Sequence, residues 1–507
     1  MTPGRTKGGR SAGHSPVKKA GSLGTGTRTA ASGRARKHGE TYAAHKEGRT
    51  EHAVRSVREA AEQTELAFST DQLPGASSAA RIPNGSANRL GIVDRPIHDW
   101  YRFVLSFPAH LVRYYISNFG LQNHAVVLDP FCGTGTTLVE ARLQGMRVVG
   151  VEANPFACFA SRVKLTWELD ADLMLEGARR AYRECNQFLE AQGINDLDPG
   201  VAGDPVKYLT ANADASKILL TNSISPLPLH KALVLRNILS QFVKEPWYGH
   251  ALLALAKTVV FGASNLHFGP EVGVGKVKSD APVLHAWLTE ITRMAADIRS
   301  VNQRRHQPAE VHLADSRQLS TILAPRSVDA VITSPPYPNE KDYTRTTRLE
   351  SVLLGFVRNR EELRSLKRTL LRSNTRSVYK GDDDDVWIKD HPEINRIAEQ
   401  IERRRIELGK TSGFEKLYPK VTKLYFGGMA RHFHELSKVL KKGAHAAYVV
   451  GDQASYLRVM IRTGELLAGI AKALGYELVS IDLFRKRFAT ATRTELREEV
   501  VVLRWPK

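Results

Sequence analysis

The sequence predicts an α/β protein built on an open and mainly parallel sheet. Two apolar runs, residues 125–128 and 148–151, are each followed by a loop and a segment with helical periodicity, and a third run, residues 330–332, ends in a proline-rich loop. Short continuous apolar runs are typical of strands that are buried on both faces of a parallel sheet. Ligands of such sheets bind beyond the carboxyl ends of the strands, so the loops after these runs predict the functional site.

Length, charge and cysteine content restrict the class of protein. The 507 residues are 42% hydrophobic, which allows a large core and more than one structural unit. The formal net charge of +20 favours a polyanionic partner such as nucleic acid. Cys132, Cys158 and Cys185 form neither a CxxC pair nor a cluster with zinc spacing, which predicts a reduced intracellular protein without a structural metal. The sequence shows neither a long apolar run nor an apolar signal core, so we expect no membrane span and no secretion.

The loop after the first apolar run has the composition of a cofactor-binding loop. Residues 129–137 read DPFCGTGTT and precede a helical pattern. Glycines at such a position allow backbone amides to approach a bound group closely. The second predicted strand, Arg147–Glu152, ends in a carboxylate about 20 residues further on, a spacing that suits hydrogen bonds to ribose hydroxyls.

The loop after residues 330–332 contains two prolines in succession. Ser334-Pro335-Pro336-Tyr337 ends the strand, because proline cannot donate a backbone hydrogen bond. This stiff step directs the Ser334 hydroxyl and the Tyr337 ring into the crevice. Taken alone, the tetrapeptide fits a simple turn equally well; beside the glycine loop it predicts part of an active site.

In combination, these segments resemble a known family of enzymes. DPFCGTGTT, VVGVEANP and TSPPY are similar to motifs I, II and IV of the DNA amino-methyltransferases, which use S-adenosylmethionine (AdoMet) and methylate the exocyclic amine of cytosine (N4) or adenine (N6). The resemblance covers residues 96–167, 308–350 and 421–507. It implies a Rossmann-like, seven-stranded methyltransferase sheet with an antiparallel last strand and a large, mainly helical insertion. Residues 96–119, mostly helical in period, resemble motif X, although core packing explains them as well.

The resemblance implies a role for each residue that matches a motif. The cofactor-binding residues are then Asp129, Phe131, Gly133, Gly135, Thr136, Glu152 and, after a motif III-like third strand, Asp315. The catalytic residues are Ser334, Pro335, Pro336 and Tyr337. In the family the first two accept hydrogen bonds from the target amine, and the tyrosine stacks on a base flipped out of the duplex. This chemistry needs no covalent nucleophile, so we interpret Cys132 as a small residue packed in the glycine loop.

The first residue of SPPY bears on the choice of base. Serine is usual among cytosine-N4 enzymes, whereas adenine enzymes more often carry aspartate. We therefore predict a site-specific cytosine-N4 DNA methyltransferase. The alternatives are an adenine-N6 DNA methyltransferase, an RNA amino-methyltransferase and a non-catalytic DNA-binding paralogue. The expected partners are double-stranded DNA and a cognate restriction endonuclease, and the expected location is the cytoplasm, with the nucleoid DNA.

The rest of the chain divides into a tail and two insertions. The composition of residues 1–90 predicts a disordered basic tail, because residues 1–50 contain eleven Lys/Arg and only two Glu. The catalytic domain comprises residues 91–167, 306–350 and 421–507, separated by a helical insertion, 168–305, and a basic insertion, 351–420. Both insertions are candidates for DNA contact, with a plain loop and a solvated helix face as alternatives. The candidate DNA-binding residues are Lys276, Lys278, Arg364, Arg368 and Arg372.

Overall fold

The computed structural model of the chain describes seven stretches of residues, all within the unit Ala79–Lys507. These stretches are residues 90–103, 106–198, 207–269, 271–302, 306–339, 341–489 and 494–507. The predicted basic tail, residues 1–90, lies outside the described residues except for its last position.

Seven strands form one mixed sheet, and five of them are parallel. From one edge, the parallel strands are β5 (Ala309–Leu313), β2 (Arg147–Glu152), β1 (Val126–Asp129), β6 (Val328–Thr333) and β7 (Leu440–Gly451). Two antiparallel pairings complete the other edge: β9 (Thr494–Arg504) pairs with β7, and β8 (Glu477–Ala489) pairs with β9. This order confirms the predicted seven-stranded sheet with an antiparallel last strand.

The sheet separates two hydrophobic cores. Successive residues of a strand contribute alternately to them: Val127 and Ile332 belong to one core, whereas Leu128 and Val331 belong to the other. Because successive side chains of a strand point to opposite faces, the two cores lie on opposite faces of the sheet. Burial on both faces explains why these strands are continuous apolar runs in the sequence.

The first core combines strands and helices of the predicted catalytic domain with residues 168–305. Insertion residues such as Met174, Leu233 and Ile291 share one cluster with Val127 of β1. The contributing helices are Ala109–Asn118, Thr136–Leu143, Pro155–Lys164, Ala171–Glu190, Pro226–Leu239, Tyr248–Lys257 and Val283–Val301. The insertion therefore packs on the same core as the sheet.

The second core is covered by three helices. They are Pro392–Glu407, Tyr418–Val439 and Thr463–Ala473. In the first of them, Ile394, Ile397 and Ile401 recur at helical spacing and are buried, so part of the basic insertion is core structure. Shorter helices, Ala213–Ser216, Tyr343–Thr346, Arg348–Leu353 and Arg360–Thr369, lie in the connections between the larger elements.

Two local predictions differ from the structure. Residues 264–280 of the helical insertion are rich in glycine and fit a plain loop in the sequence, but they contain an antiparallel hairpin, β3 (Leu266–Phe268) and β4 (Val272–Val274). Among the described residues of the stretch 96–119, the α-helix begins at Ala109 and a 3-10 turn at His98–Trp100 precedes it. Proline disfavours helical geometry at the residue before it, so Pro108 marks the start of the helix.

β8 and β9 form a long hairpin at the edge of the sheet. β7 pairs with β9 only as far as Gly451 and Glu498, but β8 and β9 continue to pair up to Ala489 and Thr494. The hairpin therefore extends past the carboxyl end of β7. None of the helices in the described part of the chain has the length and apolarity needed to cross a membrane.

Candidate active site

The carboxyl ends of the central strands surround one cavity of about 700 Å³. This volume lies within the range of roughly 300–1,000 Å³ typical of ligand pockets. Both predicted loops line it. We call residues 131–134, Glu152 and Asp315 the glycine-loop side, and residues 334–337 with the wall around them the SPPY side.

The glycine-loop side begins where β1 ends. Gly133 and Gly135 have positive φ values of 52° and 85°, which glycine adopts without strain. A Cβ at Gly135 would come within 3.0 Å of Ser161 Oγ, so this position is also tightly packed. The Ser161 hydroxyl donates to the Gly133 carbonyl at 2.8 Å and ties the loop to helix Pro155–Lys164. The loop is thereby held in a fixed shape.

Glu152 ends β2 and turns its carboxylate towards the loop. The backbone N–H of Gly133 donates to Glu152 Oε2 at 2.8 Å, and that of Asn154 donates to Oε1 at 2.7 Å. Burial raises the pKa of Glu152 to about 7, despite these two amide donors. Each carboxylate oxygen retains a further lone pair, so the group can accept hydrogen bonds from hydroxyls of a molecule in the cavity.

Two of the predicted cofactor residues, Asp129 and Gly135, do not line the cavity, whereas Phe131, Gly133, Thr136, Glu152 and Asp315 do. Asp129 is only 1% exposed. Its Oδ1 accepts from Thr333 Oγ1 at 2.6 Å and from the Phe131 N–H at 3.1 Å. Burial raises the pKa of Asp129 to about 6. Asp129 therefore links the carboxyl ends of β1 and β6 and does not face the cavity.

Asp315 follows β5 and is already engaged in the fold. Its carboxylate accepts from the backbone N–H of Arg317 at 2.9 Å and pairs with the Arg317 guanidinium at 2.6 Å. The same guanidinium binds Asp384, so it links this wall to residues 351–420. Asp315 thus has a fixed orientation at the edge of the cavity.

The SPPY side contains all four predicted catalytic residues. The Ser334 hydroxyl donates to the Val449 carbonyl of β7 at 3.1 Å. The Tyr337 N–H donates to the Tyr343 hydroxyl at 3.3 Å. The Tyr337 ring lies against Gly451, where an added Cβ would be 3.2 Å from its Cε2 atom. Neighbouring strands and loops therefore fix both the hydroxyl and the ring.

The predicted DNA-binding residues lie outside this cavity. Lys276, Lys278, Arg364 and Arg368 are exposed. Arg372 is not available: it is 4% exposed, and its guanidinium pairs with Asp382 through two bonds of 2.8 Å. The prediction for Arg372 is wrong, because a run of basic residues does not reveal which of them is paired inside the fold.

Several lining residues were missed by the sequence analysis. They come from the loop after SPPY, the β3–β4 hairpin, the basic insertion and the β8–β9 hairpin: Asn339, Lys341, Glu271, Ser373, Asn374, Ser377, Phe484, Arg485, Arg487 and Glu498. Only the first two had a local signal, since they follow SPPY within a few residues. The others are brought to the cavity by the topology of the chain.

The Cys132 thiol lines the glycine-loop side but is not activated. Its Sγ lies 3.8 Å from Ser161 Oγ, and burial raises the pKa of the thiol well above its usual value. Thiolates, and not thiols, act as nucleophiles. Within the described stretches, no group of His, Cys, Asp and Glu is arranged to hold a metal ion.

Comparisons with known proteins give a family match and several relatives. The family described as DNA methylase (N6_N4_Mtase) matches residues 79–162. The Type II methyltransferase M.BsoBI of Geobacillus stearothermophilus is 25% identical over 461 residues, which cover 82% of this chain and 86% of that protein. The Type II methyltransferase M.AvaI of Nostoc sp. is 22% identical, with coverages of 85% and 90%. A SAM-dependent methyltransferase of Methanosarcina mazei, at 10% identity and a TM-score of 0.27, covers 77% of this chain and 97% of its own, and this likeness carries no argument.

Proposed function

We propose, from the membership of this chain in the AdoMet-dependent N4/N6 DNA amino-methyltransferases, that it methylates the N4 amine of cytosine at specific sites in double-stranded DNA. AdoMet is the methyl donor of this family. M.BsoBI and M.AvaI are Type II methyltransferases, which supports a role beside a cognate restriction endonuclease.

The observation that carries the proposal is the single cavity shared by the two loops. Gly133 and Glu152 line one side of it, and Ser334 and Tyr337 line the other. Methyl transfer requires the donor and the acceptor nitrogen to meet in line within one enclosed space. A cavity that joins a cofactor loop to an amine-binding loop meets this requirement.

The glycine-loop side fits AdoMet. The Glu152 carboxylate is positioned by two backbone amides and keeps lone pairs for ribose hydroxyls. The left-handed backbone at Gly133 brings main-chain atoms to the cavity wall without a side chain between them. Bound there, AdoMet supplies a methyl group on a cationic sulfur, which makes this carbon electrophilic.

Ser334 suits an exocyclic amine as the methyl acceptor, and serine at this position, which is usual among cytosine-N4 enzymes, favours cytosine. Because its proton is donated to the Val449 carbonyl, the hydroxyl oxygen presents lone pairs and can accept a hydrogen bond from the substrate. An acceptor is what an exocyclic amine needs, since hydrogen bonds to the amine hydrogens orient the nitrogen lone pair for attack. Pro335 contributes its carbonyl to the same loop, and the Tyr337 ring offers a face on which the flipped base stacks.

The exposed cations predicted from the sequence serve this function as backbone contacts. Lys276 and Lys278 follow the β3–β4 hairpin, and Arg364 and Arg368 lie on helix Arg360–Thr369. Cations at such positions contribute salt-dependent affinity for phosphates and carry little sequence information.

The test is to express the protein in a bacterial host that lacks N4-methylcytosine and to sequence its DNA with a readout that separates N4-methylcytosine from N6-methyladenine. We expect N4-methylcytosine at one recurring sequence. Tyr337→Ala serves as the control for host background, because it removes the stacking surface. Finding N6-methyladenine would overturn the choice of base, and finding methylated RNA with unmodified DNA would overturn the choice of nucleic acid.

A further inference from the structure

Lys341 is a cation in the wall of the cavity. It lies four residues after Tyr337 and lines the SPPY side. Among the described residues, no carboxylate forms an ion pair with its ammonium group. A partly buried cation without a direct ion pair is costly, so its position calls for an explanation.

The backbone of Lys341 is fixed on both sides. Its N–H donates to the Asn339 carbonyl at 2.6 Å and to Asn339 Oδ1 at 3.2 Å. Its carbonyl accepts from Asn374 Nδ2 at 3.1 Å. Both asparagines are buried. The lysine side chain therefore starts from a defined point beside the Tyr337 loop, as expected of a group that binds a ligand.

The charges around Lys341 leave this region positive. Glu271 and Glu498 attract its charge, but each also pairs with arginine. Glu498 binds Arg485 at 2.5 Å and Arg487 at 3.0 Å, and Glu271 lies 4.0 Å from Arg376. Among the described residues named here, four cations thus stand against two carboxylates. Burial, and then repulsion by Arg487, lower the pKa of Lys341, so an anion placed here would relieve an uncompensated charge.

We propose that Lys341 binds a backbone phosphate of the nucleotide whose base enters the cavity. This inference rests on the proposed function, in which a flipped base stacks on Tyr337. The sugar and phosphates of that nucleotide must then stay at the open end of the cavity. DNA offers its negative charge only on phosphates, and a lysine ammonium forms a strong charge-assisted hydrogen bond with such an oxygen.

The experiment compares Lys341→Gln with wild type on a duplex that carries the methylated sequence. Lys472→Gln is the matched control: Lys472 is exposed at the end of helix Thr463–Ala473, just before β8 begins, and does not line the cavity. We expect Lys341→Gln to raise the KM for DNA about tenfold, the size of one charge-assisted hydrogen bond. Its kcat and its AdoMet affinity should stay within about twofold of wild type, and Lys472→Gln should match wild type throughout.

Neutral phosphates identify the contact. Each phosphate that flanks the target cytosine is replaced in turn by a methylphosphonate. When the contacted phosphate is replaced, the KM of wild type should rise by the same factor that separates Lys341→Gln from wild type on natural DNA. The KM of Lys341→Gln should not rise further. The KM of Lys341→Gln can also be compared with that of wild type on each methylphosphonate duplex. If the full difference seen on natural DNA persists on both of these duplexes, the ammonium does not bind a flanking phosphate, and the inference fails.

A second measurement does not depend on methylation. Deoxycytidine 3′,5′-bisphosphate and deoxycytidine are titrated by NMR into the protein saturated with S-adenosylhomocysteine. Wild type should prefer the bisphosphate, and Lys341→Gln should lose most of that preference. Equal binding of both compounds by wild type overturns the role of Lys341, whereas failure of the proposed function would be seen as an absence of methylated cytosine in cellular DNA.

Discussion

The two sides of the cavity are built in different ways. The glycine-loop side consists of residues that directly follow their own strands, as Gly133 follows β1 and Glu152 ends β2. The SPPY side takes its wall from four separate parts of the chain, with Glu271, Asn374 and Arg487 among the contributors. Local sequence therefore determines the first side, and long-range topology determines the second. Variants on the SPPY side should respond to partners far away in sequence.

The largest effect is expected from the bond between Ser334 and the Val449 carbonyl. In Ser334→Asp, a carboxylate would face that carbonyl without a proton to donate, whereas Ser334→Asn can donate through its amide and still accept from the substrate. In the aspartate variant we expect kcat to fall about 10²- to 10³-fold, the range seen when one positioned hydrogen bond is lost. In the asparagine variant kcat should stay within about tenfold of wild type.

The two variants are nearly equal in shape, so the comparison isolates the donated proton. Steady-state kinetics on the methylated sequence, with AdoMet binding as the folding control, measures the difference. Equal activity of Ser334→Asp and Ser334→Asn would show that the Val449 carbonyl does not set the orientation of residue 334. The geometry of the SPPY side would then be determined by local sequence, as that of the glycine-loop side is.

A smaller effect is expected at Gly451, at the end of β7. The added methyl group of Gly451→Ala would lie 3.2 Å from Tyr337 Cε2, so the ring must shift by a few tenths of an ångström. Because catalysis depends steeply on the placement of the acceptor, we expect kcat/KM to fall about tenfold. AdoMet affinity should not change. Gly469→Ala, on the exposed side of helix Thr463–Ala473, is the control and should behave as wild type.

Much of the fold and half of the cavity could be predicted from the sequence. Strands such as β1 and β6 are apolar because both of their faces are buried, and SPPY is contiguous, so each leaves a local pattern. The pairing of Arg372 with Asp382 leaves no pattern, and the basic run around it predicted DNA contact instead. The β3–β4 hairpin was hidden in a similar way, since its glycines suggested a loop.

On the glycine-loop side, the expected change concerns AdoMet alone. Glu152→Ala removes both acceptors of the carboxylate, and we expect the Kd for AdoMet to rise about tenfold, as measured by calorimetry. DNA affinity should be unchanged. An unchanged AdoMet affinity in the folded variant would exclude Glu152 as the ribose ligand.

The same carboxylate predicts a pH dependence. Burial raises the pKa of Glu152 to about 7, so the ionised form that accepts from ribose hydroxyls dominates above this pH and is lost below it. Wild-type affinity for AdoMet should therefore be constant above about pH 7 and fall by up to about tenfold per pH unit below it. In Glu152→Ala the dependence should disappear. A wild-type affinity that is flat between pH 6 and 8 would contradict the assignment.

The smallest effect is expected from Cys132→Ala, although the thiol lies in the cavity wall. Carbon-5 methylation of cytosine needs a cysteine nucleophile, but burial raises the pKa of this thiol well above its usual value and keeps it protonated. Its Sγ lies close to Gly150 of β2, so the side chain fills space between the loop and the sheet. We expect turnover within about twofold of wild type and a loss of stability of about 1 kcal/mol, measured by denaturant unfolding. A protein–DNA adduct that survives denaturation and disappears in Cys132→Ala would show instead that the chain attacks its base covalently.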